Sequence, residues 1–378
     1  MRVAIAAEGF IPYVGGVEIR YTKIAEALSR KHQVDVLTVM QREEVGGRVV
    51  DETEKIGRIR VFRYKPKRSY FAHDGTRVIS EIRKYAGFCR EILKNGDYDL
   101  VIASQWPLIH VLKIKETIDS TRIIVDWHEV WGRYYLRYGL KGAIGGVIER
   151  LIAGIPAKAH TTVSYFTFRR LIKIISKRSK ILIVPNGVDT NEFNTCKNYR
   201  EFGKIVFHGR FVPHKNLDIL IEAYKMFKSM YEEASLHIIG DGPLLNWLKH
   251  RIAGLKDAYL HVAVDRKTLI KHLTSAWASV ILTTREGQGI ACLEAMAAGT
   301  PLIVADGPMN AFSKEVGIDS HNCLIVKPYV NDAVKALEKL AKDEILWNKL
   351  SREGCKTAHE YSWENLTEKL RIILGGDI

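Results

Sequence analysis

TTREGQGIACLEAMAAGTPLIVA, residues 283–305, is the stretch on which the reading of the fold turns. Its spacing predicts a strand over 279–284, a turn at Glu286-Gly-Gln-Gly289, and a helix over 290–298. Gly299 stands where a helix C-terminus needs a residue free to take positive φ, and Pro301 blocks continuation. Residues 302–305 then read as the next strand, so the segment is one strand–helix–strand unit of a parallel sheet. The helix is apolar or small on every side, which predicts burial. Its one charge is Glu294. A buried carboxylate needs a partner, and the neighbouring sequence supplies none.

Glu286 lies eight positions earlier, just before a turn whose free N–H groups form an anion site. Two carboxylates flanking such a site suit a ligand with a phosphate at its centre and hydroxyls at both ends. Ribose, diphosphate and sugar in a nucleotide-sugar have that layout. The plainer alternative is a helix cap plus a Glu294 salt-bridged to one of the chain's bases.

The same alternation runs outward in both directions. The first half predicts strands over 2–7, 34–40, 58–64, 100–104, 122–127, 159–164 and 181–185, with helices over 17–31, 79–94, 108–118 and 145–158. Residues 186–204 read as a polar linker. The second half predicts strands over 205–209, 235–240, 259–262, 302–305 and 324–326, and helices over 216–230, 244–255, 268–276, 330–342, 344–360 and 363–374. The expected class is α/β, two Rossmann-like doubly wound domains facing across a cleft, with ligands at the carboxyl ends of the strands. A length of 378 residues fits two domains.

An apolar fraction of 47% with 26% charged residues is that of an ordinary soluble protein. Cys89, Cys196, Cys292, Cys323 and Cys355 are widely spaced with no CxxC pair, which predicts a reducing compartment and no zinc site. No signal peptide and no membrane-spanning run is expected, hence a cytoplasmic protein. Residues 1–180 hold 33 Lys+Arg and 19 Asp+Glu, whereas the remainder holds 24 of each, so the whole net charge of +14 lies in the first half. Two clusters dominate: residues 58–68 (Arg58, Arg60, Arg63, Lys65, Lys67, Arg68) and 169–180 (Arg169, Arg170, Lys173, Lys177, Arg178, Lys180). The second is drawn as a helix with Leu171, Ile172, Ile174 and Ile175 inward. Such a half suits an anionic membrane or a phosphorylated substrate; a solvated basic face is the alternative. No nucleic-acid-reading motif interleaves the bases.

Further constellations follow predicted strands. Gly15-Gly16 opens the first helix, where backbone can approach a ligand closely, although it is no GxGxxG and supports no nicotinamide dinucleotide. His208-Gly209-Arg210 through His214-Lys215-Asn216 sets two cations beside a helix start, suited to a diphosphate. Lys215 opposes the helix dipole there, so an anionic ligand would favour it. His128, within Asp126-Trp-His128-Glu129-Val-Trp131, could bond a sugar hydroxyl or move a proton, with Trp127 and Trp131 stacking on the acceptor side. Gly240-Asp241-Gly242-Pro243 is a sharp turn at the same edge. Asp97-Tyr-Asp99 has a metal-binding DxD pattern but precedes a strand, so it reads as a turn, and no metal is expected.

Taken together, the Gly15-Gly16 loop, Val163-Ser164, Val184-Pro-Asn-Gly-Val-Asp189, Gly209-Arg210 with Lys215-Asn216, Gly240-Asp-Gly-Pro243, Glu286 with Glu294 and Tyr361-Ser-Trp363-Glu364 resemble the family-4 retaining glycosyltransferases of the GT-B fold. The resemblance runs nearly end to end. It implies an acceptor-binding domain over 1–184, a nucleotide-sugar domain over 185–360, and a final segment, 361–378, crossing back onto the first. It further implies that Glu286 contacts the sugar, Arg210 and Lys215 the diphosphate, and Glu294 the ribose. Amides of Gly287, Gln288, Gly289 and Ile290 would line the phosphate and sugar, with Gly240 and Asp241 nearby. His128 and the Gly15-Gly16 loop would act from the acceptor side. Gln288 departs from the family, which usually carries an aromatic residue there, and could bond the sugar. The expectation is a metal-independent, cofactor-free hexosyltransferase. It would use a UDP- or GDP-sugar and a lipid-linked, glycan or small-molecule acceptor, with peripheral attachment to the inner face of the membrane. A nucleotide-sugar epimerase of the same fold is the first alternative, and a nucleic-acid-binding protein using the basic half a remoter one.

Overall fold

A computed structural model describes residues 1–13, 15–45, 48–72, 76–175, 179–193 and 200–374. Val14, Lys177, Arg178, Cys196, part of the predicted linker and residues 375–378 fall outside them. The chain forms two compact units, Met1–Pro185 with Leu366–Ile378, and Asn186–Asn365.

In the first unit eight strands form one sheet. From one edge their order is Ile181–Ile183, Ala159–Thr162, Ile123–Trp127, Leu100–Ser104, Arg2–Ala6, Gln33–Val39, Ile59–Tyr64 and Thr53–Ile56. Every pair is parallel except the last, an antiparallel hairpin. The central strands, such as Leu100–Ser104 (LVIAS), are buried at every position, as a sheet covered on both faces requires. The second unit's sheet is wholly parallel, in the order Ala258–His261, Ser235–Asp241, Glu201–Arg210, Ala276–Ile281, Leu302–Ala305, Leu324–Val326. Strand order reverses between Arg2–Ala6 and Leu100–Ser104 in one unit, and between Glu201–Arg210 and Ala276–Ile281 in the other. Those are the switch points where doubly wound sheets open a crevice.

Local chemistry fixes the helix ends. Asp265 caps Arg266–Ser275 by accepting from Thr268 N at 2.7 Å, and Asp343 caps Glu344–Glu360 through Leu346 N at 2.8 Å. Gly299 takes φ +68 after Ile290–Ala297. Val330–Lys342 buries Ala333, Val334, Ala336, Leu337 and Leu340 on one stripe.

Several expectations are corrected. Gly139–Ala153 begins six residues before the predicted helix, because the glycines at 142, 145 and 146 sit inside it: Gly145 and Gly146 lie against Tyr135. Thr53–Ile56, not among the predicted strands, is an edge strand whose half-buried TEKI pairs, among the described residues, with Ile59–Tyr64. The strand opening the second unit starts at Glu201, within the predicted linker. The helix Tyr165–Leu171 stops before Ile172, which is exposed rather than inward-facing. Arg170 is spent on the carbonyls of Val130 (2.6 Å) and Trp131 (2.8 Å). In the other basic cluster Arg63 is buried, paired with Glu54 at 2.7 Å, and Arg60 forks onto Asp35. Both clusters thus lend part of their charge to the interior.

Candidate active site

In the second unit Arg210 and Asp241 end neighbouring strands and are register partners. Gly240 and Gly242, at φ +146 and +154, have no room for a side chain: a Cβ on either would lie 2.0 Å from Gly209 O or 2.7 Å from Phe211 N. Phe211 N donates to Asp241 O (2.8 Å), and Leu244 N to Phe211 O (3.0 Å). The Gly-Asp-Gly turn therefore holds, main chain against main chain, the loop that begins at Arg210.

That loop continues as the turn Pro213–Lys215 and Asn216, at φ +52, before the helix Leu217–Met230. His214 O accepts from Thr284 N (3.0 Å) and Thr283 Oγ1 (3.2 Å), which ties the loop to the segment after Ala276–Ile281. Lys215 Nζ then meets Glu286 Oε2 at 2.5 Å. The His214 ring is pushed down to about 2, first by burial and then by the charges of Arg285, Lys215 and Arg210. Three cations thus act on one point beside Glu286. Arg285 was not among the residues singled out from sequence. Its place between Thr284 and Glu286 was the available signal.

Glu294 lies on the buried helix Ile290–Ala297 and has two partners. His208 Nε2 lies 2.9 Å from one carboxylate oxygen, and Arg266 donates to the other. Burial alone would raise this carboxyl; the His208 hydrogen bond and the Arg266 charge overcome it and bring it down to about 2. The depressed value means that the pairing stabilises the fold above about pH 4.5 and is lost as the pH falls towards 2. Glu294→Gln is expected to flatten the acid limb of a stability-against-pH curve across that window; an unaltered limb would rule the pairing out as its source. Glu294 is thus salt-bridged, as the plainer alternative expects, through partners 86 residues before and 28 before it.

Gln288 does not face open space. It is buried, accepting from Asn186 N (2.5 Å) and donating to Asn186 O (3.1 Å). Its side chain is committed to the backbone where the second unit begins, which corrects its expected freedom to bond a sugar. Gln288→Ala should lower the free energy of unfolding by about 1–3 kcal/mol, the cost of stranding buried backbone groups; denaturant titration with an unchanged midpoint would remove this role. Gly289, at φ +89, starts the helix, and Gly287 precedes it.

In the first unit Gly15 and Gly16 follow the strand Arg2–Ala6. The carboxylate of Glu18 lies 2.3 Å from where a Cβ on Gly15 would stand, so this loop already faces an acid. Ile123–Trp127 delivers Asp126, buried against Arg20 (2.8 Å to both oxygens), Tyr21 (2.9 Å) and Thr161 (2.6 Å). Tyr21 OH also reaches His128 Nε2 at 3.0 Å. Helix Gly16–Ser29 and His128 are in this way brought together, and Gln105 accepts from the backbone N–H groups of His128 and Glu129. Burial, before any charge, lowers the His128 ring to about 4, so at neutral pH it is uncharged. Glu8, paired with Arg77, ends the same edge. Tyr21, Gln105 and Glu8 escaped sequence reading, though Gln105 directly follows Leu100–Ser104 and Glu8 lies two residues beyond Arg2–Ala6, the strands flanking the switch point.

Trp127 is wholly buried and donates to His160 Nδ1 at 2.9 Å, so it is a core residue and no acceptor platform. Trp131 is partly buried among Trp106, Tyr134, Tyr135 and Tyr138. Asp99 accepts from Arg2 N (2.7 Å) at the opposite end of the sheet from these residues, and Asp97 is fully exposed.

Two family models match in tandem: Glycosyltransferase Family 4 over residues 14–192 and Glycosyl transferases group 1 over 189–357. The chain belongs to the family-4 glycosyltransferases. It is 26% identical to an uncharacterized glycosyltransferase of Methanocaldococcus jannaschii, across 98% of this chain and 96% of the relative. It is 24% identical to a GDP-mannose-dependent alpha-(1-6)-phosphatidylinositol monomannoside mannosyltransferase of Mycobacterium tuberculosis, across 100% and 98%. The sucrose-phosphate synthase of Thermosynechococcus elongatus superposes with a TM-score of 0.81 at 17% identity, covering 99% of this glycosyltransferase and 98% of that chain. Its two parallel-sheet units are those of the GT-B fold.

Proposed function

We propose that the enzyme transfers a hexose from a UDP- or GDP-sugar to a lipid-linked acceptor, with retention of anomeric configuration and without a metal at the diphosphate. The observation that carries the donor half is geometric: Arg210 ends its strand at the loop that brings Lys215 to Glu286 at 2.5 Å, and Arg285, next to that carboxylate, reaches the His214 ring at 3.4 Å, ahead of the helix that opens at Ile290. A diphosphate placed there would take Lys215 from Glu286, which frees that carboxylate for sugar hydroxyls. Arg210 and Lys215 would then stabilise charge growing on the leaving group, while the amides of Gly287 to Ile290 line the phosphate and sugar. Glu294 would exchange part of its Arg266 pairing for a ribose hydroxyl. The uncharged His128 suits a hydrogen bond to a hydroxyl from the acceptor side. In this reading the leaving oxygen departs and the acceptor attacks on the same face of an oxocarbenium-like centre.

A thermal-shift series with UDP, GDP, ADP and their sugars tests the donor half. The correct ligand at 100 times its Kd should stabilise by about 2.7 kcal/mol, and a flat response to all would defeat it. Turnover of a donor to its isomer without acceptor would instead favour the epimerase reading.

Support for the lipid half is the outer face of Gly139–Ala153. Leu140, Ile144, Val147 and Leu151 recur there at helical spacing and are 80, 56, 58 and 57% exposed. Arg137 and Arg150 are exposed beside them, the composition of a helix that lies in a membrane interface. The mycobacterial relative's named acceptor is a phosphatidylinositol derivative. Among the described residues no helix is long and apolar enough to cross a membrane, so a peripheral enzyme on the cytoplasmic face is the arrangement proposed. Ile144→Asp with Val147→Asp is expected to abolish flotation with anionic vesicles while leaving the fold intact; equal flotation of wild type and variant would exclude this face.

A further inference from the structure

Away from the donor-site residues, three histidines meet on the edge of the second sheet. Ser235–Asp241 and the edge strand Ala258–His261 run in parallel, with His237 opposite Tyr259 and Ile239 opposite His261. The two-residue period of a strand therefore turns His237 and His261 to one face. Helix Arg266–Ser275 brings His272 to them. Ring centroids lie 5.3 Å apart for His237 and His261, 4.4 Å for His261 and His272, and 5.2 Å for His237 and His272. One nitrogen from each ring can be chosen so that all three lie within 4.8 Å of one another. His272 Nδ1 is buried and makes no hydrogen bond among the described residues.

We propose that His237, His261 and His272 bind one divalent transition-metal ion of the zinc class, with an open fourth position. Imidazole nitrogens sit about 2.0–2.1 Å from zinc, so two of them on a tetrahedral shell stand about 3.4 Å apart. His237 Nδ1 and His261 Nε2, at 3.1 Å, already stand close to that spacing. Without metal they share a proton; with metal that proton moves to the ring's outer nitrogen and the ion takes its place. Neutral imidazole is the ligand form, and burial disfavours the charged form of all three rings. The facing groups are mixed in sign. Lys204 acts on all three and Lys271 on His272, opposing a cation, while Glu201 acts on His272 in its favour. Three oriented nitrogen donors select an ion that binds by coordination over one held by charge alone, which favours zinc, nickel or copper above magnesium or calcium.

The site is separate from the diphosphate position, where the proposed chemistry uses no metal. Its reach is mechanical: His272 and Arg266 share one helix, and Arg266 holds Glu294. An ion joining His272 to two strands would fasten the helix that fixes this carboxylate.

The test uses metal-stripped full-length protein and zinc or cobalt(II) alone. Expected are one bound ion per chain, visible cobalt absorption of a tetrahedral nitrogen site, and a zinc-dependent rise in Tm. His237→Ala, His261→Ala and His272→Ala should each weaken zinc binding by more than the about 10–100-fold that loss of an outer-shell partner costs. His359→Ala, at an exposed position, should not. His272→Gln serves where an alanine variant fails to fold, judged by circular dichroism without metal. Unchanged zinc affinity in any folded variant of the three, or no ion bound to the wild type, overturns the proposal.

Discussion

Lys215→Ala is expected to lower kcat/KM for the donor by about 10²–10³-fold, the cost of removing one group that stabilises a developing anion. The expectation rests on where the amine is held. Its loop is pinned by two hydrogen bonds to His214 O, and its Nζ stands 2.5 Å from Glu286. The loss should fall mainly on kcat, since the charge on the leaving diphosphate grows in the transition state. Arg285→Ala should produce a smaller loss in the same direction. Steady-state kinetics on correctly folded variants, checked by circular dichroism, decides the matter. A Lys215→Ala enzyme with wild-type turnover would mean that the cations meet some anion other than the donor.

The largest effect on stability is expected at Arg20. Its guanidinium forks onto Asp126 with both groups 1% exposed, and Tyr21 and Thr161 complete the carboxylate's partners. Arg20→Ala leaves a buried charge without its counter-ion, a loss of about 3–5 kcal/mol. Replacing both partners, Arg20→Met with Asp126→Leu, should cost markedly less, because the unpaired charge rather than the missing attraction does the damage. Denaturant midpoints for the single and double variants separate the two. If both are equally destabilised, packing rather than charge explains the site. Arg20 holds Asp126 well below the usual carboxylate range against the opposing effect of burial. This contribution is therefore present above the ordinary aspartate pKa and lost in acid.

What could be read from the chain divides along physical lines. Periodic, self-contained segments announced themselves: Ile79–Lys94, Val330–Lys342 and Glu344–Glu360 have the predicted ends, since an apolar stripe and its caps are local. The buried helix carrying Glu294 was equally plain, and so was that carboxylate's need for a partner. Who the partner is was not, because His208 and Arg266 arrive from other elements. Gln288 shows the same limit, its hydrogen bonds ending on a residue 102 positions away. Trp127 was misjudged because a tryptophan at a strand's end can point into the core or out of it, and only His160, on the next strand, selects the core. Arg63 was counted as surface charge for want of knowing that Thr53–Ile56 pairs beside it and brings Glu54 to it.

The turn at Gly240 and Gly242 carries a lesson for reading other chains of this architecture. Main chain fills the space a β-carbon would need, so these two positions are closed to mutation by carpentry alone, whatever sugar the enzyme handles. Gly-Asp-Gly in this chain thus serves the scaffold and leaves its cargo undecided. Substrate choice has to be sought where side chains still have room to vary.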